Sequence, residues 1–249
     1  MNDVTPTRPV TPLMTWIVIL SIITAILTVM ASIGWTYSQE WAIVRQIEAD
    51  GGFVSKVPSD WVPYEFPMPV FDRVSHVGLI GTAVNDLNLN RLSELKFLDR
   101  VDVTGTNMTE VRLAYVQGLT GLKWLSLDGS GVTDSGLIHL NNLAKLKLLT
   151  LDRTQVTGPG LIHLSGLMKL ESLSLSGTEI TNAGLSHLNR IPQLEYLDLS
   201  ETGVTDAGLD HLRGLSKLHF LYVEDTGITA NGFEALRTAV PRLEQRTDN

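Results

Sequence analysis

Residues 122–145 read LKWLSLDGSGVTDSGLIHLNNLAK, and the stretches that follow, LKLLTLDRTQVTGPGLIHLSGLMK (146–169) and LESLSLSGTEITNAGLSHLNRIPQ (170–193), repeat them almost position for position. Numbered from Leu122, the apolar positions are 1, 4, 6, 11, 16, 19 and 22. Unit starts recur at Val74, Leu98, Leu122, Leu146, Leu170, Leu194 and Leu218 without a slip. A 24-residue unit cannot bury its apolar face alone, so stacked neighbours must share one elongated core. The period therefore decides the architecture before any local secondary structure is considered.

Positions 3 to 7 alternate between outward and inward residues, as in Trp124-Leu125-Ser126-Leu127-Asp128, the pattern of a half-buried strand. Position 9 is a hydroxyl column, Thr82, Thr106, Ser130, Thr154, Thr178, Thr202 and Thr226, expected to bond neighbouring backbone at the turn and to act as a ladder. Segments such as VTDSGLIHL then place Thr as a helix N-cap and an acid in the first turn, where the helix dipole favours it. The Gly column at 136, 160, 184, 208 and 232 disfavours a helix but lets backbone pack on backbone, and Pro159 fits a first turn. The expected fold class is α/β: a solenoid with parallel strands on its concave face and short helices on its convex face.

LKWLSLDGSGVTDSGLIHL resembles a leucine-rich repeat, and [IV]-T-x-x-G-L resembles the subclass often called cysteine-containing, known from the substrate-recognition ends of F-box proteins. Thr or Ser stands here at the position-9 Cys or Asn of that subclass. The resemblance covers residues 74 to about 243, is weaker in the first two units, and implies the fold rather than a ligand. No segment outside the repeats resembles an F-box. The whole layout is similar to membrane-anchored repeat proteins of planctomycete-type bacteria.

Ahead of the repeats, residues 1–12 carry three prolines and no apolar period, which predicts a disordered tail. Residues 13–35, LMTWIVILSIITAILTVMASIGW, run without a charge, and 23 residues at ~1.5 Å each give roughly 34 Å against the ~30 Å of a bilayer core. Trp16 and Trp35 lie near the two ends, where indoles favour the headgroups. The expectation is a single-pass helix in the cytoplasmic membrane with the repeats on the exported side. A cleavable signal peptide, with a site near Ala31, is the rival, although the apolar run exceeds the ~7–15 residues usual for one. Residues 36–73 are read as a short amphipathic helix with Trp41, Val44 and Ile47 on one face, ended by Gly51-Gly52, then a cap rich in Pro and aromatics. Seven 24-residue repeats with a short C-terminal end occupy 74–249.

With 27 acidic against 19 basic residues, a net charge of -8, the chain does not suit nucleic acid, whose phosphates need clustered Lys and Arg. It has no cysteine, which removes thiolate chemistry and Cys-ligated zinc. No phosphate-binding loop, zinc-protease helix or nucleophile elbow occurs, so no enzyme, cofactor or metal is expected. His139, His163, His187 and His211 form a column at position 18, but one histidine per unit places neighbours a full repeat apart, which suits packing better than a shared ion.

The outward strand residues are the variable part. Position 3 reads His76, Arg100, Trp124, Leu148, Ser172, Tyr196 and Phe220; positions 5 and 7 add Asp102, Asp128, Asp152, Asp198, Tyr222 and Glu224. Aromatics ringed by carboxylates suit a protein-binding hot spot, which predicts that Trp124, Tyr196, Phe220 and Tyr222 anchor a basic or amphipathic protein or peptide. Two alternatives stand beside this: the rings only stack on cross-strand neighbours, or the rod is an envelope scaffold or spacer with no specific ligand.

Overall fold

Helix α1 (Pro12–Ala49) leads into strand β1 (Phe53–Val57), which pairs antiparallel with β2 (Arg73–Gly78). The computed structural model describes residues 12–57, 73–82 and 86–245, except for the side chains at 12–16, 18, 30, 33–37, 87 and 88. The expected tail before Pro12, the side chains of Trp16 and Trp35, and the part of the expected cap at 58–72 lie outside the described residues. The chain forms two units, residues 1–42 and 43–249.

Residues 36–49, expected as a separate short helix, instead continue α1, since nothing between Trp35 and Ala49 breaks a helix. Its buried face in the second unit is Ile43, Val44 and Ile47, whereas Trp41 is exposed. Steps of three fall behind the 3.6-residue turn, so Trp41 has rotated off the face that Val44 and Ile47 share. Gly51 ends the helix as expected. It takes φ +85°, its N–H bonds the carbonyl of Glu48 and that of Gly52 bonds Ile47, the paired bonds of a Schellman motif. Among the described residues no helix is long and apolar enough to cross a membrane.

From β2 onward one parallel sheet runs through β3 (Arg100–Asp102), β4 (Trp124–Ser126), β5 (Leu148–Thr150), β6 (Ser172–Ser174), β7 (Tyr196–Asp198), β8 (Phe220–Tyr222) and β9 (Glu244–Gln245). Each register advances by one full unit, so His76 faces Arg100, Arg100 faces Trp124, and so on to Glu244. The sequence columns are therefore physical rows across the sheet. β1 covers the edge that β2 would otherwise expose, and β9 adds a two-residue rung beyond the seven repeats.

Positions 1, 4, 6, 16 and 19 are buried in every unit, each leucine contributing about 1.5–3 kcal/mol on burial as an upper bound. In the last unit Val240 takes over the final core place and helix α5 (Ala230–Ala239) covers that end. Opposite the strands, the expected helices are mostly 3₁₀ turns, at Gly136–Leu140, Gly158–Gly166 and Gly184–Arg190. Short α segments occur toward the ends: α2 (Asp86–Arg91), α3 (Glu110–Leu113) and α4 (Asp206–Leu209). A 3₁₀ turn covers ~2.0 Å per residue against ~1.5 Å, so fewer residues cross the width of the unit.

The position-9 hydroxyls do not link repeats. Each donates to the carbonyl three residues back, from Thr82 to Leu79 at 2.7 Å through Thr226 to Val223 at 2.7 Å, which locks the turn within its own unit. The linking ladder lies at positions 12 and 13. Asp134 accepts from the Thr157 N–H (2.7 Å) and hydroxyl (2.5 Å), and Asp206 from the same groups of Thr229 (2.7 and 2.8 Å). Asn182 does likewise for Thr205, accepting its N–H at 2.9 Å and donating to its hydroxyl at 2.8 Å. Glu110 accepts from the Thr133 and Ser135 hydroxyls at 2.9 and 2.6 Å, which hold its carboxyl below the usual range. Of these threonines only Thr229 also caps a helix with its side chain, accepting from Gly232 N–H at 3.1 Å. The glycine column follows from the ladder: a Cβ at Gly160 or Gly232 would strike the carboxylate of Asp134 or Asp206.

Candidate interaction face

The rows at positions 3, 5 and 7 lie side by side on one face of the sheet, at the ~4.8 Å strand spacing. The middle row is not a free surface. Asp102 is 9% exposed and Tyr222 8%, and Ser126 and Ser174 are buried as well, because residues on adjacent rungs cover one another. Both Asp102 and Tyr222 were expected as outward contacts; their burial removes them from that role.

The carboxylates are also committed within the molecule. Asp128 accepts the N–H of Asp152 on the next rung (2.9 Å), and Asp152 accepts the N–H of Ser176 (2.9 Å) and the Ser174 hydroxyl (2.5 Å). Asp102 and Asp198 turn back onto the N–H groups of Thr104 (3.0 Å) and Ser200 (2.8 Å). Ser126 joins three rungs through Thr104 (2.7 Å) and Thr150 (3.0 Å). Of the five acids expected to select a basic partner, Asp128 and Asp152 therefore brace neighbouring rungs, and Asp102 and Asp198 fix the turn of their own unit. These bonds leave less of each carboxylate to a basic partner, and Glu224 stays half-buried at the outer row.

Burial pushes the Asp152 carboxyl up, the Ser174 hydroxyl pulls it down, and Asp128 and Asp198 raise it. A carboxyl raised in the fold opposes folding once ionised, and this penalty fades as pH falls through the folded value toward the ordinary 3.8. Asp152→Asn keeps an oxygen for the two donors and is neutral throughout. It is expected to match or exceed the parent's urea midpoint at pH 7, with the difference shrinking as pH falls toward 3.8; a deficit at pH 7 that deepens in acid would contradict this.

The expected aromatic anchors form two groups. Trp124 meets His76 edge-on across the Arg100 rung (centroids 5.4 Å), and His76 meets Phe53 at 5.1 Å. Tyr196 rests against Tyr222 at 5.0 Å, and Phe220 stacks on His219 at 4.3 Å. Leu148 and Ser172 separate the groups, so Trp124 and Tyr196 stand three rungs apart, about 14 Å at the usual strand spacing. Buried Tyr222 supports Tyr196 from below, leaving Trp124, Tyr196 and Phe220 partly exposed. Burial also holds the His76 imidazole below its ordinary value, Asp102 opposing this, and its Nε2 has no hydrogen-bond partner among the described residues.

A basic edge lies where the strands begin, beyond the columns the sequence reading followed. A recess of about 590 Å³ is lined by Lys56, Lys96, Arg100, Lys123, Lys145 and His76 among others, with Asp99 the one carboxylate among the described residues. A second, of about 390 Å³, shares Asp99, Arg100 and Lys123 and adds Trp124, Lys147 and Leu148. Lysines at positions 2 and 24, Lys123, Lys147 and Lys145, signal it in the sequence. The position-18 histidines remain one per unit, and among the described residues no three His, Asp or Glu side chains gather as a metal site would require.

A family model described as a leucine rich repeat matches residues 166–188 and 192–212. No curated protein matches the sequence. Among solved structures, internalin C2 of Listeria monocytogenes is similar at 25% identity, over 71% of this chain and 75% of that one, with a TM-score of 0.57. A second internalin of that organism aligns at 22% identity over 63% of this chain and 49% of its own, with a TM-score of 0.49.

Proposed function

Because the chain is built of leucine-rich repeats, whose kind generally mediates protein–protein interaction and is typically non-enzymatic, we propose that it is a membrane-tethered interaction module binding a protein or peptide on its strand face. The observation that carries this is the composition of that face: Trp124, Tyr196 and Phe220 stand partly exposed on a row fixed rung by rung, where rigid rings supply burial at little entropic cost. Amphipathic partners suit it, since apolar anchors alternate there with Arg100, Ser172 and Glu224.

The tether is residues 13–35, with the repeats on the exported side of the cytoplasmic membrane. What supports it is the uncharged run together with the exposure of Ile17, Leu20, Ile22, Ile23, Ile26 and Leu27, a surface that water disfavours. The hydroxyls of Thr24 and Thr28 donate to the carbonyls of Leu20 (2.5 Å) and Thr24 (2.9 Å), as a lipid setting requires of polar groups.

Photo-crosslinking in intact cells tests both parts. A light-activated residue replacing Ser172 in the full chain is expected to capture a discrete protein of the exported compartment, and Trp124→Ala/Tyr196→Ala/Phe220→Ala is expected to abolish capture while circular dichroism stays unchanged. The same partners recovered by a folded triple variant would refute the strand-face reading, and cytoplasmic partners would refute the topology. High abundance with no discrete crosslink would favour the scaffold.

A further inference from the structure

We infer that the two joined recesses at the N-terminal end of the strand face receive an acidic segment of the partner, one that carries apolar side chains between its carboxylates. The inference rests on the interaction reading above and adds the chemistry of what is bound. Lys56, Lys96, Arg100, Lys123, Lys145 and Lys147 line the recesses against Asp99, the one carboxylate among the described lining residues, in a chain whose net charge is -8.

Internal pairing leaves three of these cations, Lys96, Arg100 and Lys145, without a close ion pair among the described residues. Lys123 bonds Asp99 at 2.9 Å and Lys147 bonds Glu171 at 2.7 Å, while Arg100 approaches Asp99 only at 3.9 Å and its side chain is 63% exposed. Lys96 and Lys145 have no ion pair among the described residues. The cations are not isolated from apolar surface: Phe97 and Leu98 lie in the first recess, Trp124 and Leu148 in the second. A purely polyanionic ligand would leave that surface unused, whereas a peptide alternating acidic and apolar residues would use both. The acidic remainder of the molecule repels such a segment, which confines its docking to this end and fixes its register.

The test uses the full chain in nonionic detergent and a short fluorescein-labelled peptide of alternating Glu and Leu, with the Lys/Leu counterpart and a sulfated oligosaccharide as comparisons. The Glu/Leu peptide is expected to bind, to weaken as salt rises from about 0.05 M to about 0.5 M, and to lose tenfold or more in affinity to Lys96→Glu/Arg100→Glu/Lys145→Glu. The three side chains make no close ion pair, so this variant should keep its circular dichroism; Lys96→Gln/Arg100→Gln/Lys145→Gln repeats the comparison without added negative charge. Absent binding, or affinity unchanged in both variants, overturns the inference. So does tighter binding of the oligosaccharide, or self-association of the parent that the variants abolish, which would make a second copy the occupant. If Ser172 crosslinks persist undiminished in the charge variants, the interaction reading stands and this inference alone fails.

Discussion

Gly184→Ala is expected to lower the stability of the repeat unit by about 3 kcal/mol, the upper part of the usual overpacking range, and its Tm by roughly 6–12 °C. An added Cβ at Gly184 would strike the Cα of Gly158, and one at Gly158 would lie 2.8 Å from the Cα of Gly184. Both partners are backbone, so neither can rotate away. The contact lies where the linking ladder is interrupted between units four and five: position 13 holds Gly158, which has no side chain to take Thr181, and the neighbouring turn closes onto it instead. Thr181 keeps its backbone bridge to Gly203 and accepts the Gly184 N–H at 3.0 Å within its own turn. Repeat arrays gain stability from neighbour interfaces, so strain between units four and five should also broaden or split the urea transition. A single transition with an unchanged midpoint would show that the two backbones can separate at no cost.

Much of this was legible before the structure. The apolar columns named the core because a period of 24 leaves no other way to bury one leucine row after another, and the registers advance by that same step. What stayed hidden depends on contact between repeats rather than on pattern within one. Alternation puts Ser126 and Tyr222 on the outward face, but only adjacent rungs determine that they are covered there. The position-9 hydroxyls looked like a ladder because they recur; recurrence is equally served by an identical local bond in each unit. The true ladder pairs position 12 with position 13 of the preceding unit, and the two residues lie 23 apart. Position 8 illustrates the reverse case: Gly81, Gly105, Gly129 and Gly177 take positive φ, and so do Arg153, Glu201 and Asp225, where the neighbouring repeats impose a left-handed turn on residues that avoid it.

These corrections bear on function. Asp128 and Asp152 bond across rungs and Asp198 bonds within its own turn, so these half-buried carboxylates offer a basic partner less than fully hydrated ones would. The cations without a close ion pair, Lys96, Arg100 and Lys145, lie at the strand starts. On the proposed reading, affinity on this face divides between the Arg100–Trp124 end, where charge and a ring coincide, and the Tyr196–Phe220 end, where rings dominate.

The second large effect is a coupling. Gly232→Ala is expected to cost about 1–3 kcal/mol, since its Cβ would strike the Asp206 carboxylate and drive it off Thr229. Asp206→Ala breaks the same two bonds, to the Thr229 N–H and hydroxyl, and should cost a similar amount. Once those bonds are gone there is nothing further for the new methyl to displace, and alanine within α5 regains up to ~1 kcal/mol of helix propensity. The double variant should therefore be no less stable than Asp206→Ala alone, a coupling of about 1–2 kcal/mol by urea denaturation. Strictly additive losses would mean that the glycine is kept for another reason than to admit the carboxylate. Gly184 offers no equivalent relief, because its neighbour is backbone: a side chain can be deleted, whereas a Cα cannot, so the Gly158–Gly184 contact rather than the ladder is where the stack tolerates least change.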